Sequence, residues 1–90
     1  MKATCRSHSG AKIDLTVLDL SPIGCMVRRH AWSAQPGERI LVQLEGLAFQ
    51  PATVVWVEGE LAGIEFEQLL HEAVLERLMN SLAREVGAAR

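Results

Sequence analysis

The sequence predicts an all-β domain, an antiparallel barrel or sandwich, followed by one C-terminal helix. Three observations carry this. Apolar residues alternate with period two over most of residues 11 to 66, the pattern of half-buried strands. Glycine and proline turn signals interrupt that alternation at short intervals, which suits strands joined by tight connections. After Gln68 the apolar residues recur roughly every fourth position, the spacing of one helix face.

The strands can be taken in order. The first is expected over residues 3 to 8. In the second, Ile13, Leu15 and Val17 share one face and Asp14 and Thr16 the other. The phase slips at Val17-Leu18, because Leu18 and Leu20 then carry the apolar side, and a β-bulge or barrel corner produces such a slip. Ser21-Pro22-Ile23-Gly24 breaks the ladder, since Pro22 has no N–H to donate and Gly24 tolerates positive φ. Cys25-Met26-Val27 resumes a short strand that ends in Arg28-Arg29-His30. Residues 30 to 37 read as a loop closing on the Pro36-Gly37 turn. A strand with Ile40, Val42 and Leu44 on one face follows, then a tight connection at Glu45-Gly46. Residues 47 to 51 read as irregular and 52 to 57 as strongly strand-forming. Glu58-Gly59 turns the chain into a last strand over 61 to 66.

The helix is expected over residues 69 to 85. Leu70, Val74, Leu78 and Leu82 form its stripe, Leu75 and Met79 widen it, and Gly87 serves as a stop signal. Residues 88 to 90 read as a fraying tail. The stripe is wider than a small barrel covers, so a homodimer or protein-partner contact through this helix is expected.

The chain of 90 residues is sized for a single domain, residues 1–90, with the barrel over about 3–66. Hydrophobic residues make up 49% and charged residues 22%, enough to form a core and to argue against disorder. No apolar run approaches the ~20 residues that span a bilayer, and no secretion signal opens the chain. The expectation is a cytoplasmic protein without membrane insertion. A net charge of −2 argues against sequence-independent DNA or RNA binding, which needs a basic face. It leaves room for a small anionic ligand, which two or three placed arginines can hold.

No catalytic triad, paired-carboxylate cleft or phosphate-cradling glycine loop is legible, so no enzyme activity and no cofactor are expected. His8, His30 and His71 lack ligand spacing, and metal binding is not expected. Cys5 and Cys25 read as two reduced thiols, with a cross-strand disulfide as the lesser alternative. Trp56, in a strand of apolar residues, is expected in the core, and Trp32 half-buried over the barrel end.

The sharpest local feature is Asp19-Leu20-Ser21-Pro22-Ile23-Gly24 between two strands. As a plain turn, its Asp and Ser side chains cap their own backbone. As a ligand site, Asp19 accepts hydrogen bonds from an N–H-rich ring edge, Ser21 bonds a phosphate or base, and Gly24 permits close approach.

The ordered series VLDLSPIGCMV, PGERILVQLEG and ATVVWVEGELAGIEF, followed by a helix, resembles the PilZ domain family over roughly residues 11 to 80. Asp19, Ser21 and Gly24 meet its DxSxxG pattern, and Val54-Val55-Trp56 with Gly63-Ile64-Glu65-Phe66 is similar to its VxW…GxxF ending. The resemblance implies a six-stranded antiparallel barrel with a C-terminal helix, and a role as a bacterial signalling receptor for cyclic di-GMP. Ligand-binding members also carry RxxxR just before the first strand, where guanidinium groups grip the phosphates and stack on the guanines. Lys2 and Arg6 reproduce that spacing as KxxxR, but Arg6 stands thirteen positions before Asp19 (19 − 6), too few for a full strand and its return. Arg28 and Arg29 are the other basic candidates, since they end the strand that follows the turn. The expectation is a PilZ signalling module with weakened or lost nucleotide binding that acts through protein contacts. The alternative is a functional cyclic di-GMP receptor that uses Asp19, Ser21 and Gly24 with Arg6, Arg28 or Arg29.

Overall fold

The computed structural model describes residues 1–7 and 9–88, the last four by backbone alone. Six strands form a closed antiparallel barrel: β1 (Lys2–Arg6), β2 (Lys12–Ser21), β3 (Gly24–Arg28), β4 (Arg39–Leu44), β5 (Gln50–Glu58) and β6 (Leu61–Phe66). Their order around the barrel is β1-β2-β3-β6-β5-β4, and β4 pairs back onto β1. A single helix, α1 (Glu72–Ala88), follows β6. The architecture is the barrel rather than the sandwich, and closure leaves no open sheet edge.

Alternation dictates what fills it. Cys5, Leu15, Val17, Val27, Val42, Leu44 and Val54 point inward and are almost completely buried, and no polar or charged residue is buried among those described. Trp32 and Ala34, from the connection between β3 and β4, join this core. Trp32 is therefore more deeply buried than expected, at 4% exposure. The Arg29 guanidinium fixes its loop, donating from Nε to the Gly59 carbonyl at 2.7 Å and from Nη1 to the Trp32 carbonyl at 2.9 Å. Pro36-Gly37 makes the turn into β4: Gly37 has φ 88°, and the Glu38 N–H bonds the Gln35 carbonyl at 3.0 Å.

Two bulges interrupt the ladders. The β2–β3 register shifts between Val17 and Asp19, as the apolar phase slip at Leu18 predicts. The β5–β6 register shifts between Val54 and Trp56, so Val55 is an extra residue with no counterpart. The second bulge overturns one expectation. Strict alternation from buried Val54 would send Trp56 inward. With Val55 inserted, Trp56 stands on the outside of the barrel, 37% exposed.

Other boundaries move as well. The first strand ends at Arg6 instead of residue 8, because Ser7, Ser9 and Gly10 form the turn into β2; His8 lies outside the described residues. The irregular stretch shortens, since β5 begins at Gln50 and Pro51 pairs with Leu41. The last hairpin turns on Gly59-Glu60, one residue later than read, with Gly59 at φ 57°. The helix starts at Glu72 rather than 69. The Leu70 N–H is committed to the Pro22 carbonyl at 2.9 Å, and His71 Nδ1 accepts from the Ala73 N–H at 3.1 Å at the first turn. Leu70 is thus a buried residue of the connection and not a member of the helical stripe. Gly87 does not stop the helix, which runs to Ala88, and residues 89 and 90 of the expected tail lie outside the described residues.

Both cysteines are free and buried. Burial pushes the Cys25 thiol up from 9.0 to about 12, and it does the same for Cys5, where the Glu38 charge adds to the effect. The folded state therefore keeps protons that the unfolded chain releases near pH 9. This stabilisation is complete below about pH 9 and is lost as pH rises toward about 12. Denaturant melts at stepped alkaline pH should show a shallower loss in Cys25→Ala than in the parent. Parallel curves would show that this thiol does not drive the decline.

Candidate functional site

The turn between β2 and β3 takes its shape from its own side chains. Asp19 Oδ1 accepts from the Leu20 N–H at 2.9 Å. Ser21 Oγ accepts from the Ile23 N–H at 3.3 Å and donates to the Gly24 carbonyl at 3.3 Å. Gly24 is needed for a reason other than positive φ, which it does not adopt. A Cβ at this position would collide with the Ile64 carbonyl oxygen of β6, so glycine permits the close passage of β3 along β6. The turn also anchors the chain leaving the barrel, because the Ile23 carbonyl accepts from the Phe66 N–H at 2.8 Å. Asp19→Ala should accordingly lower stability by about 1 kcal/mol, the usual contribution of one such hydrogen bond. Chemical denaturation checks this, and an unchanged midpoint would remove the capping role.

Strand register sets what stands beside the turn on the outer barrel face. Asp19 pairs with Met26, Met26 with Gly63, and Gly63 with Trp56. One row across four strands therefore reads Asp19, Met26, Gly63, Trp56. The next row reads Ser21, Gly24, Glu65, Thr53. The indole of Trp56 lies on Gly63: a Cβ there would strike its Nε1, Cε2 and Cδ1 atoms. The missing side chain of Gly63 is thus filled by Trp56 from the neighbouring strand. Apart from Thr53, these residues floor a cavity of about 310 Å³, which Ile23 and Val55 also line. Ile23 and Val55 are exposed, and Met26 is half-buried. The charged residues among those lining it are the carboxylates Asp19 and Glu65.

The basic candidates do not converge on this groove. Arg6 pairs with Lys12 at the far end of β1, seven positions along β2 from Asp19 (19 − 12) and so about 23 Å away at strand rise. It stacks on Phe49, 5.4 Å from the ring centroid, and lines a separate cavity with Arg39 and Leu41. Lys2 pairs with Thr16, nearer the turn. The KxxxR pair therefore runs along β1 away from Asp19. Arg28 pairs with Thr16 and Leu61, on the outer face one row beyond Met26. It is exposed and borders the groove without lining it. Arg29 is committed to the Trp32 loop. Asp19, Ser21 and Gly24 line one groove; of the candidate arginines only Arg28 is near them. Trp56 is the site residue that sequence reasoning missed. The available signal was Gly63 in the next strand, which leaves a gap that a large side chain must fill.

Among the described residues, no three His, Cys, Asp or Glu side chains are grouped to hold a metal, and no helix is long and apolar enough to cross a membrane. His30 Nε2 is hydrogen-bonded to Thr16 Oγ1 at 3.0 Å.

No curated protein and no solved structure matches the chain in a search of either. The model of one family, the PilZ domain, matches residues 1–84. With a match over nearly the whole sequence, the closed six-stranded barrel, and the Asp19-x-Ser21-x-x-Gly24 turn at its outer face, the chain belongs to the PilZ domain family.

Proposed function

We propose that this chain is a PilZ signalling module that works through protein contacts and holds cyclic di-GMP weakly or not at all. PilZ domains are generally ligand-binding adaptors for cyclic di-GMP. The observation that carries the proposal is the charge of the groove beside the DxSxxG turn, where Asp19 and Glu65 are the ionised lining residues. A ligand with two phosphates needs cations preorganised around it, and two carboxylates oppose it. Asp19 Oδ1 and Ser21 Oγ are also already bonded to the turn backbone.

The contact surface proposed is α1. It packs against β2. Leu78 is buried there, but Val74, Leu75 and Leu82 remain half-exposed and Met79 is 41% exposed. A second copy or a protein partner would cover the rest of that stripe.

Calorimetric titration of cyclic di-GMP into the purified chain tests the nucleotide half. No saturable heat is expected at micromolar ligand. Micromolar binding that disappears on Arg28→Ala would overturn the proposal and make Arg28 the phosphate contact of a rearranged site. For the helix, sedimentation across a concentration series is expected to show self-association that Met79→Glu weakens. A strict monomer would assign the stripe to a different protein.

A further inference from the structure

We propose that the groove between the DxSxxG turn and Trp56 docks an arginine-bearing segment of a protein partner, with the guanidinium held between the outer indole face and the Glu65 carboxylate. The inference rests on the protein-contact reading above and names the chemistry of the partner.

Three features of the face select that occupant. First, the floor is apolar and open to solvent: Ile23 is 57% exposed and Val55 47%, with Met26 between the turn and Gly63. Trp56 joins them on the outside because the Val55 bulge turns it outward. Second, the indole is fixed. The ring rests on Gly63, whose absent Cβ leaves the space that it fills, and Trp56 is still 37% exposed. A rigid aromatic plane with its far side free is a platform for a planar cation. Third, the charge around the platform is negative. Glu65 lies two positions along β6 from Gly63, on the same outward side, and Asp19 ends the row that Trp56 begins. Both carboxylates are exposed.

Arginine fits this set better than lysine. Its guanidinium stacks on an indole while its edge donates to a carboxylate, and an ammonium has no plane to stack. The apolar surface of Ile23, Val55 and Met26 beside the platform would take an apolar neighbour of the arginine. An acidic or phosphorylated segment would meet Asp19 and Glu65 as like charges. Arg28 stands one row beyond Met26, outside the lining of the groove, and Glu58 shares its row through Leu61.

The probe is the capped peptide acetyl-Leu-Arg-Leu-Arg-Leu-amide, compared with versions carrying Lys or Glu in place of Arg, titrated into the ¹⁵N-labelled full chain and followed by NMR. Trp32 and Trp56 give separate indole N–H signals, and buried Trp32 is the internal control. Saturable shifts are expected at the Trp56 indole and at the Gly63 and Glu65 amides, with Trp32 unmoved. The lysine peptide should bind more weakly and the glutamate peptide not at all. Glu65→Lys should weaken the arginine peptide by about tenfold or more at an unchanged melting temperature, and Trp56→Phe, which retains a ring over Gly63, should weaken it less.

No saturable shift at millimolar peptide, equal shifts with the glutamate peptide, or shifts confined to α1 would each overturn the docking. The calorimetric experiment reports separately on the reading beneath it. Micromolar cyclic di-GMP binding together with peptide docking would overturn the lost-nucleotide reading and leave the docking standing. Absence of both ligands would overturn the docking alone.

Discussion

Leu78→Ala is expected to destabilise the fold by about 2–5 kcal/mol, the range for emptying a packed leucine site. Leu78 is 2% exposed, and it belongs to the only helix of the described chain, which packs on β2. Leu78 is the one fully buried side chain among the described residues of that helix. Val74, Leu75 and Leu82 are only partly buried, and Leu70, which the apolar spacing assigns to the same stripe, sits before the helix begins. The loss is therefore concentrated at one side chain. For a chain of 90 residues, each kcal/mol moves the melting temperature by roughly 4–8 °C, so a shift of roughly 10 °C or more is expected. Met79→Ala, at an exposed position of the same helix, should change stability by no more than about 0.5 kcal/mol. Comparable small effects at both positions would mean that the helix is held by its backbone connection through Pro22 and by a partner, and not by the barrel.

The contrast between these two residues shows where sequence patterning stops being informative. A helical stripe identifies which residues share a face, but not how far that face is covered. Coverage depends on the width of the surface beneath it: Leu78 is buried fully, Val74, Leu75 and Leu82 only in part, and Met79 stays exposed. The strands were legible for the opposite reason. A closed barrel buries one face of every strand, so period two survives in β4 and in β2 up to its bulge. The bulge at Leu18 could be read because apolar residues stand on both sides of the slip. The bulge at Val55 could not, because Val54, Val55, Trp56 and Val57 are all apolar and any phase fits them equally. Trp56 was misplaced for that reason alone, and with it half of the groove.

At the turn, the residue types were right and one reason was wrong. Gly24 is required by the nearness of Ile64 rather than by left-handed backbone, a contact between strands forty positions apart (64 − 24) that no local pattern encodes. The helix start was missed through a similar non-local bond, from the Leu70 N–H to the Pro22 carbonyl. The placement of Arg6 and Arg29 also follows from register. Arg6 is carried to the far end of β1, and Arg29 turns back to bind Gly59 and Trp32. Only Arg28 keeps the position that adjacency in sequence suggests.

Fusing a segment that bears RxxxR ahead of Met1 is expected to raise cyclic di-GMP affinity by about 3–6 kcal/mol, from two charge-assisted hydrogen bonds at ~1.5–3 kcal/mol each. That corresponds to about 10²–10⁴ in Kd. The geometry favours the gain. The Met1 carbonyl accepts from the Val17 N–H at 2.7 Å, and Lys2 pairs with Thr16. β1 and β2 run antiparallel, so residues added before Met1 continue along β2 toward Leu18 and Asp19. Arginines on that segment would arrive beside the DxSxxG turn, whereas Arg6 lies at the other end of the same strand. They would also neutralise Asp19 and Glu65, removing the repulsion that those carboxylates exert on the phosphates. Paired fusions, one with RxxxR and one with AxxxA, separate the arginines from the added length. Calorimetry should show saturable binding for the first only, and Ser21→Ala or Asp19→Ala in that background should weaken it. Equal, negligible heats from both fusions would mean that the turn side of the groove no longer accepts the nucleotide even when its counter-charges are supplied. The face would then be given over wholly to Trp56, Glu65 and whatever cation they hold.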